Sequence, residues 1–151
     1  MKTLTEGSIA PDFELPDQDG NPVRLSAVAQ DGPVVLFFYP LAMSGGCTKE
    51  SCHFRDLAAE FADAGAQRLG ISRDSVAKQK QFAEQNHFDY RLLSDESGTV
   101  AEQYGVRRRF VTPVKRATFV IDRDRVVLKV ISSEMQFDRH ADQALAFVGS
   151  L

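Results

Sequence analysis

Residues 33–47 read PVVLFFYPLAMSGGC, an apolar run that a proline closes and a loop of small residues follows. The run from Pro33 to Tyr39 does not alternate between polar and apolar residues, which is typical of a strand buried on both faces of a sheet. Pro40 ends that strand, and a helix is predicted to begin near Cys47. The stretch therefore predicts a central strand that leads through a short loop into the start of a helix.

The rest of the chain predicts strands and helices in alternation around this stretch. The predicted strands are 12–15, 22–25, 33–39, 66–72, 90–93, 116–122 and 126–132, and the predicted helices are 47–63, 75–86, 96–104 and 137–148. Crossover helices predict parallel strands, whereas the first two and the last two strands predict hairpins, the first with its turn at Asp19-Gly20. We therefore predict an α/β fold, a three-layer α/β/α sandwich with a mixed central sheet and an N-terminal β-hairpin, in one domain spanning residues 1–151.

Composition narrows the classes of partner. The chain has 151 residues, 18 Lys and Arg against 21 Asp and Glu, and a net charge of -3, which argues against a nucleic-acid binder or a binder of anionic membranes. The longest apolar run, Val34 to Phe38, is far below the roughly 18 residues of a membrane span. Residues 1–7 carry no apolar stretch of a secretory signal. We therefore expect a cytoplasmic protein, where thiols are kept reduced.

The two cysteines, Cys47 and Cys52, are the residues with the most distinctive chemistry. A structural disulfide is disfavoured in the cytoplasm, so catalysis, redox sensing and metal binding are the functions to weigh. A thiol at a helix start should lose its proton more easily, because the helix dipole is positive there. Gly45 and Gly46 permit close approach of backbone N–H groups to a substrate oxygen. Ser44 adds a hydroxyl group three residues before Cys47.

The residues from Pro40 to Cys47 spell P-x-x-x-S-x-x-C, which resembles the active-site motif of the peroxiredoxins. The wider stretch from Tyr39 to Asp56 resembles the PrxQ group, also called bacterioferritin comigratory protein. Further similar stretches are Ala10-Pro11-Asp12-Phe13, Leu15-Pro16-Asp17-Gln18-Asp19-Gly20, Leu69-Gly70-Ile71-Ser72, Leu92-Leu93-Ser94-Asp95 and Arg116-Ala117-Thr118-Phe119-Val120-Ile121-Asp122. Three positions depart from the group's pattern: Gly45 stands where proline is common, Arg107 where tryptophan is frequent, and Arg125 where glycine commonly makes the hairpin turn.

The resemblance implies a thioredoxin-fold peroxidase that reduces hydrogen peroxide or an alkyl hydroperoxide and is recycled by thioredoxin or a similar dithiol. It implies no metal, flavin or haem, and a monomer or weak dimer. The roles it implies are: Cys47, peroxidatic cysteine; Cys52, resolving cysteine; Ser44, hydrogen bond to the peroxide; Pro40, shield of the thiolate; Arg116, stabilisation of the thiolate; Glu50, orientation of the arginine. Gly46 is placed with Glu50, behind the reacting residues.

The spacing of the cysteines predicts a conformational change. Five residues along an α-helix rise about 7.5 Å and rotate the side chain by about 140°. The Cα atoms of a disulfide lie at most about 7 Å apart. An intact helix therefore cannot hold a Cys47–Cys52 bond, and we predict that its first turns unwind on oxidation.

Other functions remain open at this stage. A peroxide sensor would use the same oxidation to expose a surface, and a thioredoxin-like oxidoreductase would need the C-x-x-C motif that this chain lacks. Cys47 could be an inert residue of the core. Cys52 could have no role in the reaction, in which case the protein would be a one-cysteine peroxidase. Ser44 could serve only as the cap of the helix. A zinc site would combine both cysteines with one of the histidines at 53, 87 and 140. The basic loop 107–115 is either a solvated surface or a dock for an acidic partner.

Overall fold

A computed structural model describes residues 2–110 and 112–151, so Met1 and Val111, the latter inside the basic loop, lie outside the described residues. The strands are β1 (Glu14–Pro16), β2 (Pro22–Arg24), β3 (Val34–Phe38), β4 (Gln67–Ser72), β5 (Arg91–Ser94), β6 (Ala117–Ile121) and β7 (Val127–Ser132). The helices are α1 (Leu25–Val28), α2 (Gly45–Asp56), α3 (Ala58–Asp63), α4 (Val76–Asn86), α5 (Thr99–Gln103) and α6 (Phe137–Gly149), with a short 3-10 helix at Ala29–Asp31.

Strand β3 lies at the centre of a five-stranded sheet with the order β5-β4-β3-β6-β7. β4 runs parallel to β3 and β5 parallel to β4, whereas β6 is antiparallel to β3 and β7 is antiparallel to β6. β1 and β2 form a separate antiparallel pair. The structure confirms the mixed central sheet and the N-terminal hairpin that the sequence predicts.

Two cores lie on opposite faces of this sheet, because successive side chains of a strand point in opposite directions. Leu36 of β3 belongs to one core together with Val100 of α5. Phe37 belongs to the other, which also contains Ala141 of α6 and Phe54 of α2. The rings of Phe37 and Phe54 stack with centroids 4.0 Å apart. Helices cover both faces, so the predicted three-layer sandwich is confirmed.

The predicted helix 47–63 is wrong in two respects: it begins two residues earlier, at Gly45, and Leu57 divides it into α2 and α3. The carbonyl oxygen of Phe54 accepts a hydrogen bond from Arg68 Nη1 at 2.9 Å. Arg68 is itself paired with Asp89, 2.6 Å from its Nη2. The guanidinium of Arg68, on β4, thus binds a carbonyl oxygen near the end of α2. In a continuous helix this oxygen would accept a hydrogen bond from the backbone amide four residues later. The apolar spacing of residues 54–61 continues through the break and does not indicate it.

Two further helix boundaries differ from the prediction. The sequence predicts no helix between β2 and β3, whereas α1 buries Leu25 and Val28 there; one turn is too short to show helical periodicity. The predicted helix 96–104 is shorter in the structure, where only α5 is helical. The amides of Val100 and Ala101 at its start donate hydrogen bonds to the Asp95 carboxylate. No helix in the described part of the chain has the length and apolar content needed to cross a bilayer.

The turn between β6 and β7 adopts its left-handed conformation without glycine. Arg125 has φ +63°, at the position where the resemblance leads us to expect glycine. The Asp122 carboxylate accepts hydrogen bonds from the amides of Asp124 and Val126, at 2.9 and 2.8 Å. These bonds offset part of the conformational cost that a non-glycine residue carries at positive φ.

Candidate active site

The loop after β3 places Cys47 as the third residue of α2. Pro40 is buried between the strand and the loop, and Cys47 is only 1% exposed. The buried Asp74 carboxylate accepts the Ala42 amide at 2.8 Å and so anchors the loop, a contact that the sequence did not predict. The cysteine lies in the first turn of the helix, where backbone N–H groups have no intrahelical acceptor. This is the electropositive position that the sequence predicts for Cys47.

Arg116 brings a positive charge to the Cys47 sulfur. β6 pairs with β3 so that Ala117 lies opposite Phe38, which places Arg116 beside the end of β3 that leads to Cys47. The Nη2 atom of Arg116 donates to Cys47 Sγ at 3.3 Å. Arg116 is 5% exposed, so solvent screens this interaction little. The structure therefore joins two predicted site residues that lie far apart in the sequence.

Glu50 holds the other side of the same guanidinium. Arg116 Nη1 donates to Glu50 Oε1 at 2.8 Å, and the Glu50 side chain is 0% exposed. Burial raises the pKa of Glu50 to about 8, although the charge and hydrogen bond of Arg116 act in the opposite direction. Burial lowers the pKa of Arg116, but Glu50 and Cys47 outweigh burial and raise it overall. Arg116 is therefore one fixed cation in contact with two acids.

His140, which the sequence analysis named only as a possible zinc ligand, lies behind Glu50. Its Nδ1 is 2.8 Å from Thr118 Oγ1 and 3.7 Å from Glu50 Oε2, and its Nε2 is 2.8 Å from the Ser133 carbonyl oxygen. Burial lowers the pKa of His140, although the Ser133 carbonyl opposes this shift. The side chain reaches the site because α6 packs against α2 and β6. No spacing signal links residue 140 to residue 50.

Phe137 and Glu134 complete the surroundings of Arg116, and the sequence indicated neither. The Phe137 ring centroid lies 4.8 Å from the guanidinium carbon of Arg116, within reach of a cation–π contact. The Glu134 carboxylate accepts the Arg116 amide at 3.1 Å and Arg108 Nη2 at 2.9 Å. A residue of the basic loop is therefore tied to the segment that carries Arg116.

Gly46 is required by a side chain rather than by a substrate contact in this structure. A Cβ atom at Gly46 would lie 2.6 Å from Cζ of Phe137, whereas a Cβ atom at Gly45 would meet nothing within 4 Å. A real Cβ at position 46 would force the far end of the Phe137 ring to move, and that ring packs on Arg116. The two adjacent glycines therefore differ in role, although the sequence analysis treated them together.

Ser44 and Cys52 are the predicted site residues that lie outside the Arg116 cluster. Ser44 occupies the N-cap position of α2, but its hydroxyl donates to the Leu41 carbonyl at 2.9 Å and makes no capping bond. Cys52 is partly exposed, and its Sγ donates to Asn86 Oδ1 at 3.5 Å. Burial raises the pKa of Cys52, with a smaller opposing effect of Arg55. Both cysteines are free, and α2 runs unbroken between them.

The histidines named for a zinc site are dispersed. His53 Nε2 lies 2.6 Å from Asp142 Oδ1, His87 ends α4 in a left-handed conformation, and His140 lies behind Glu50. Across residues 2–110 and 112–151, no three or more His, Cys, Asp or Glu side chains converge in an arrangement that could hold a metal ion.

Comparison with known proteins places this site in a family. Residues 7–130 match the AhpC/TSA family, and the chain belongs to it. It is 42% identical to the chloroplastic Peroxiredoxin Q of Sedum lineare over 149 residues. That alignment covers 98% of this chain and 80% of the Sedum protein. The crystal structure of peroxidoxin BcpB from Mycobacterium tuberculosis has 62% identity and a TM-score of 0.93, covering 97% of each chain.

A more distant relative of known structure reduces alkyl peroxides. The bacterioferritin comigratory protein of Xanthomonas campestris, described with an alkyl peroxide reduction activity, has 29% identity and a TM-score of 0.84 and covers 91% of this chain and 90% of that one. The peroxiredoxin resemblance, the thioredoxin-like fold and the enzyme class are thereby confirmed. The chain is a peroxiredoxin, a thiol-dependent peroxidase.

We expect Gly46→Ala to lower the peroxidase rate by roughly tenfold to a hundredfold, because the new Cβ forces Phe137 to move and so disturbs the ring that packs on the Arg116 guanidinium. Gly45→Ala is the matched control, and its rate should stay within about twofold of wild type, since its Cβ meets no neighbour. Steady-state peroxide consumption by the two variants provides the measurement. Equal losses in both would show that the loop needs glycine flexibility rather than room for Phe137.

Glu50 should make the stability of the fold depend on pH. Its pKa rises from 4.5 to about 8 on folding, so the folded state binds the proton more tightly. The stabilisation is complete below pH 4.5 and is lost as the pH rises toward 8. Relative to Glu50→Gln, wild type should lose on the order of a few kcal/mol of unfolding free energy over this range. Urea denaturation of both proteins at several pH values measures the difference, and a constant difference would contradict a neutral buried Glu50.

Proposed function

We propose that Cys47 is the peroxidatic cysteine of this enzyme and that Arg116 holds its sulfur as a thiolate. The observation that carries the proposal is the 3.3 Å contact between Arg116 Nη2 and Cys47 Sγ, made where both side chains are buried. A guanidinium stays protonated throughout the physiological range and favours an anion beside it. Cys52 has no comparable cation, because Arg55 acts on it only weakly and burial favours its neutral form.

The Cys47 thiolate attacks the terminal oxygen of hydrogen peroxide or an alkyl hydroperoxide. The S–O bond forms as the O–O bond breaks, which leaves a sulfenic acid on Cys47 and releases hydroxide or alkoxide, which takes up a proton. Arg116 stabilises the thiolate before attack and the negative charge that moves onto the leaving oxygen. Its Nε–H has no hydrogen-bond partner among the described residues and is an unused donor for that oxygen. Ser44 lies three residues before Cys47 in the partly exposed loop, and its hydroxyl can donate to the peroxide once it turns away from the Leu41 carbonyl; Pro40 shields the sulfur.

Cys52 then attacks the sulfenic acid, which forms the Cys47–Cys52 disulfide and releases water. The two cysteines lie five residues apart on the unbroken helix α2, with about 7.5 Å of rise and about 140° of rotation between them. The first turns of α2 must therefore unwind before the bond can form. Every step uses residues of one chain, so a monomer could carry it out. A thioredoxin-like dithiol then reduces the Cys47–Cys52 disulfide to two thiols, in keeping with a reducing compartment such as the cytoplasm.

Intact mass after one equivalent of hydrogen peroxide tests the two cysteine roles. Wild type should lose two hydrogens and also lose helical circular dichroism, because α2 unwinds. Cys47→Ser should not react, and Cys52→Ser should carry a sulfenic acid or a mixed disulfide with its helix retained. Oxidation of Cys47→Ser at the wild-type rate would remove the peroxidatic assignment. A wild-type protein that stops at the sulfenic acid would instead be a one-cysteine peroxidase.

Turnover with thioredoxin, thioredoxin reductase and NADPH tests the recycling step. We expect wild type to consume many equivalents of peroxide, and Cys52→Ser to lose at least roughly tenfold in rate, because no intramolecular disulfide is offered to the reductant. Oxidation of wild type in a single turnover, with no cycling in the presence of any dithiol, would favour a peroxide sensor over the proposed enzyme.

A further inference from the structure

The buried cluster behind Cys47 contains fewer positive charges than acids. Arg116 contacts both the Cys47 sulfur and the Glu50 carboxyl group, and all three residues are at most 5% exposed. If both acids were ionised, the cluster would carry a net negative charge without water to solvate it, which is unfavourable. One guanidinium can therefore balance the charge of only one of the two acids, which favours a state in which the other keeps its proton. The enzyme works only if that acid is Glu50.

His140 presents a lone pair, rather than a proton, to Glu50. The Ser133 carbonyl oxygen only accepts hydrogen bonds, so Nε2 of the imidazole must carry the proton that it donates at 2.8 Å. In a neutral imidazole Nδ1 is then an acceptor, and the Thr118 hydroxyl donates to it at 2.8 Å. The lowered pKa of His140, caused mainly by burial, agrees with the neutral ring.

Glu50 Oε2 is the carboxyl oxygen that lies near this nitrogen. It lies 3.7 Å from His140 Nδ1, is buried and has no hydrogen-bond partner among the described residues. A carboxylate oxygen beside a lone pair is repelled, whereas a carboxylic acid O–H is attracted and can donate after a small shift. The other charged groups around the pair are Arg116 at the start of β6, Glu134 before α6, and Arg139 on α6. Glu134 adds to the repulsion that a negative Glu50 would experience.

We propose that His140, with Thr118, is a positioning residue that keeps the proton on Glu50 and so leaves the charge of Arg116 to the Cys47 thiolate. The proposal rests on the proposed function, because it assumes that Cys47 is the reacting residue. No proton passes through Arg116: Cys47 ionises to solvent, and Glu50 retains its own proton. The Thr118 hydroxyl competes with Glu50 for Nδ1 and limits how strongly the imidazole holds the acid.

Two substitutions should shift the Cys47 titration in opposite directions. His140→Phe removes the lone pair, so Glu50 ionises more readily and the Cys47 thiolate forms at higher pH. Thr118→Val removes the competing hydroxyl with little change in shape, so Nδ1 accepts from Glu50 more strongly and the thiolate forms at lower pH. Each shift should be about half a pH unit. The measurement is the ultraviolet absorbance of the thiolate as a function of pH, in a Cys52→Ser background that leaves Cys47 as the only thiol.

The controls separate this role from a structural one. In a Glu50→Gln background, where no acid competes with Cys47, neither His140→Phe nor Thr118→Val should shift the titration. His53→Phe changes a histidine of α2 that is paired with Asp142 and should leave the titration as in wild type. If His140→Phe does not fold, Thr118→Val tests the proposal alone, since loss of a buried hydrogen bond predicts a less stable protein but no shift to lower pH.

Three outcomes would overturn the proposal: shifts of the same sign in both variants, no shift in Thr118→Val, or shifts that persist in the Glu50→Gln background. The readout does not depend on turnover. A protein with the expected titration shifts that consumes no peroxide would contradict the proposed function while leaving the role of His140 standing. Peroxidase activity without the shifts would contradict the role of His140 alone.

Discussion

The structure depends on one guanidinium that is buried between a thiol and a carboxyl group. Arg116 cannot lose its charge, and it is buried too deeply for ions in the surrounding solution to screen that charge. Its contacts with Cys47 at 3.3 Å and with Glu50 at 2.8 Å therefore give two acids one cation to share. A second cation in the cluster would remove the competition, and a solvated carboxylate would weaken it. The chemistry of the sulfur is thus a property of the whole buried cluster rather than of the cysteine and its helix start alone.

The sheet topology creates this cluster from distant parts of the chain. Because β6 pairs with β3, the residue before β6 lies next to the loop after β3, which leads into α2. The helix α6 returns over the same face of the sheet and places Phe137 over the guanidinium of Arg116 and His140 behind Glu50. Three segments that are separated by up to ninety residues therefore meet around one sulfur. The rigid central strands fix their relative positions, which is what a preorganised charge environment requires.

Much of the fold follows from local sequence signals, and the site follows only in part. The apolar run of β3, the alternation of strands with helices and the proline after β3 predict the sandwich correctly. The motif from Pro40 to Cys47 and the resemblance of Arg116 identify the central pair. Phe137 and Glu134 escape detection, and His140 is named only for a zinc site, because their contacts arise where α6 and the segment before it meet β6 and the residue that precedes it, which leaves no spacing signal. The division of α2 from α3 escapes for the same reason, since Arg68 reaches it from β4.

The two ends of α2 are held very differently, and this has a consequence for reversibility. At the C-terminal end the Phe54 ring stacks on Phe37, and Arg68 donates a hydrogen bond to the Phe54 carbonyl. The Tyr90 hydroxyl donates to the Ser51 carbonyl at 2.6 Å. At the N-terminal end the helix carries two glycines, and its N-cap side chain makes no capping bond. When the N-terminal end of α2 unwinds, the C-terminal end stays helical, so the helix can re-form by growth from the part that remains. Helix growth from an existing helical segment takes on the order of nanoseconds per residue, much faster than nucleation of a new helix.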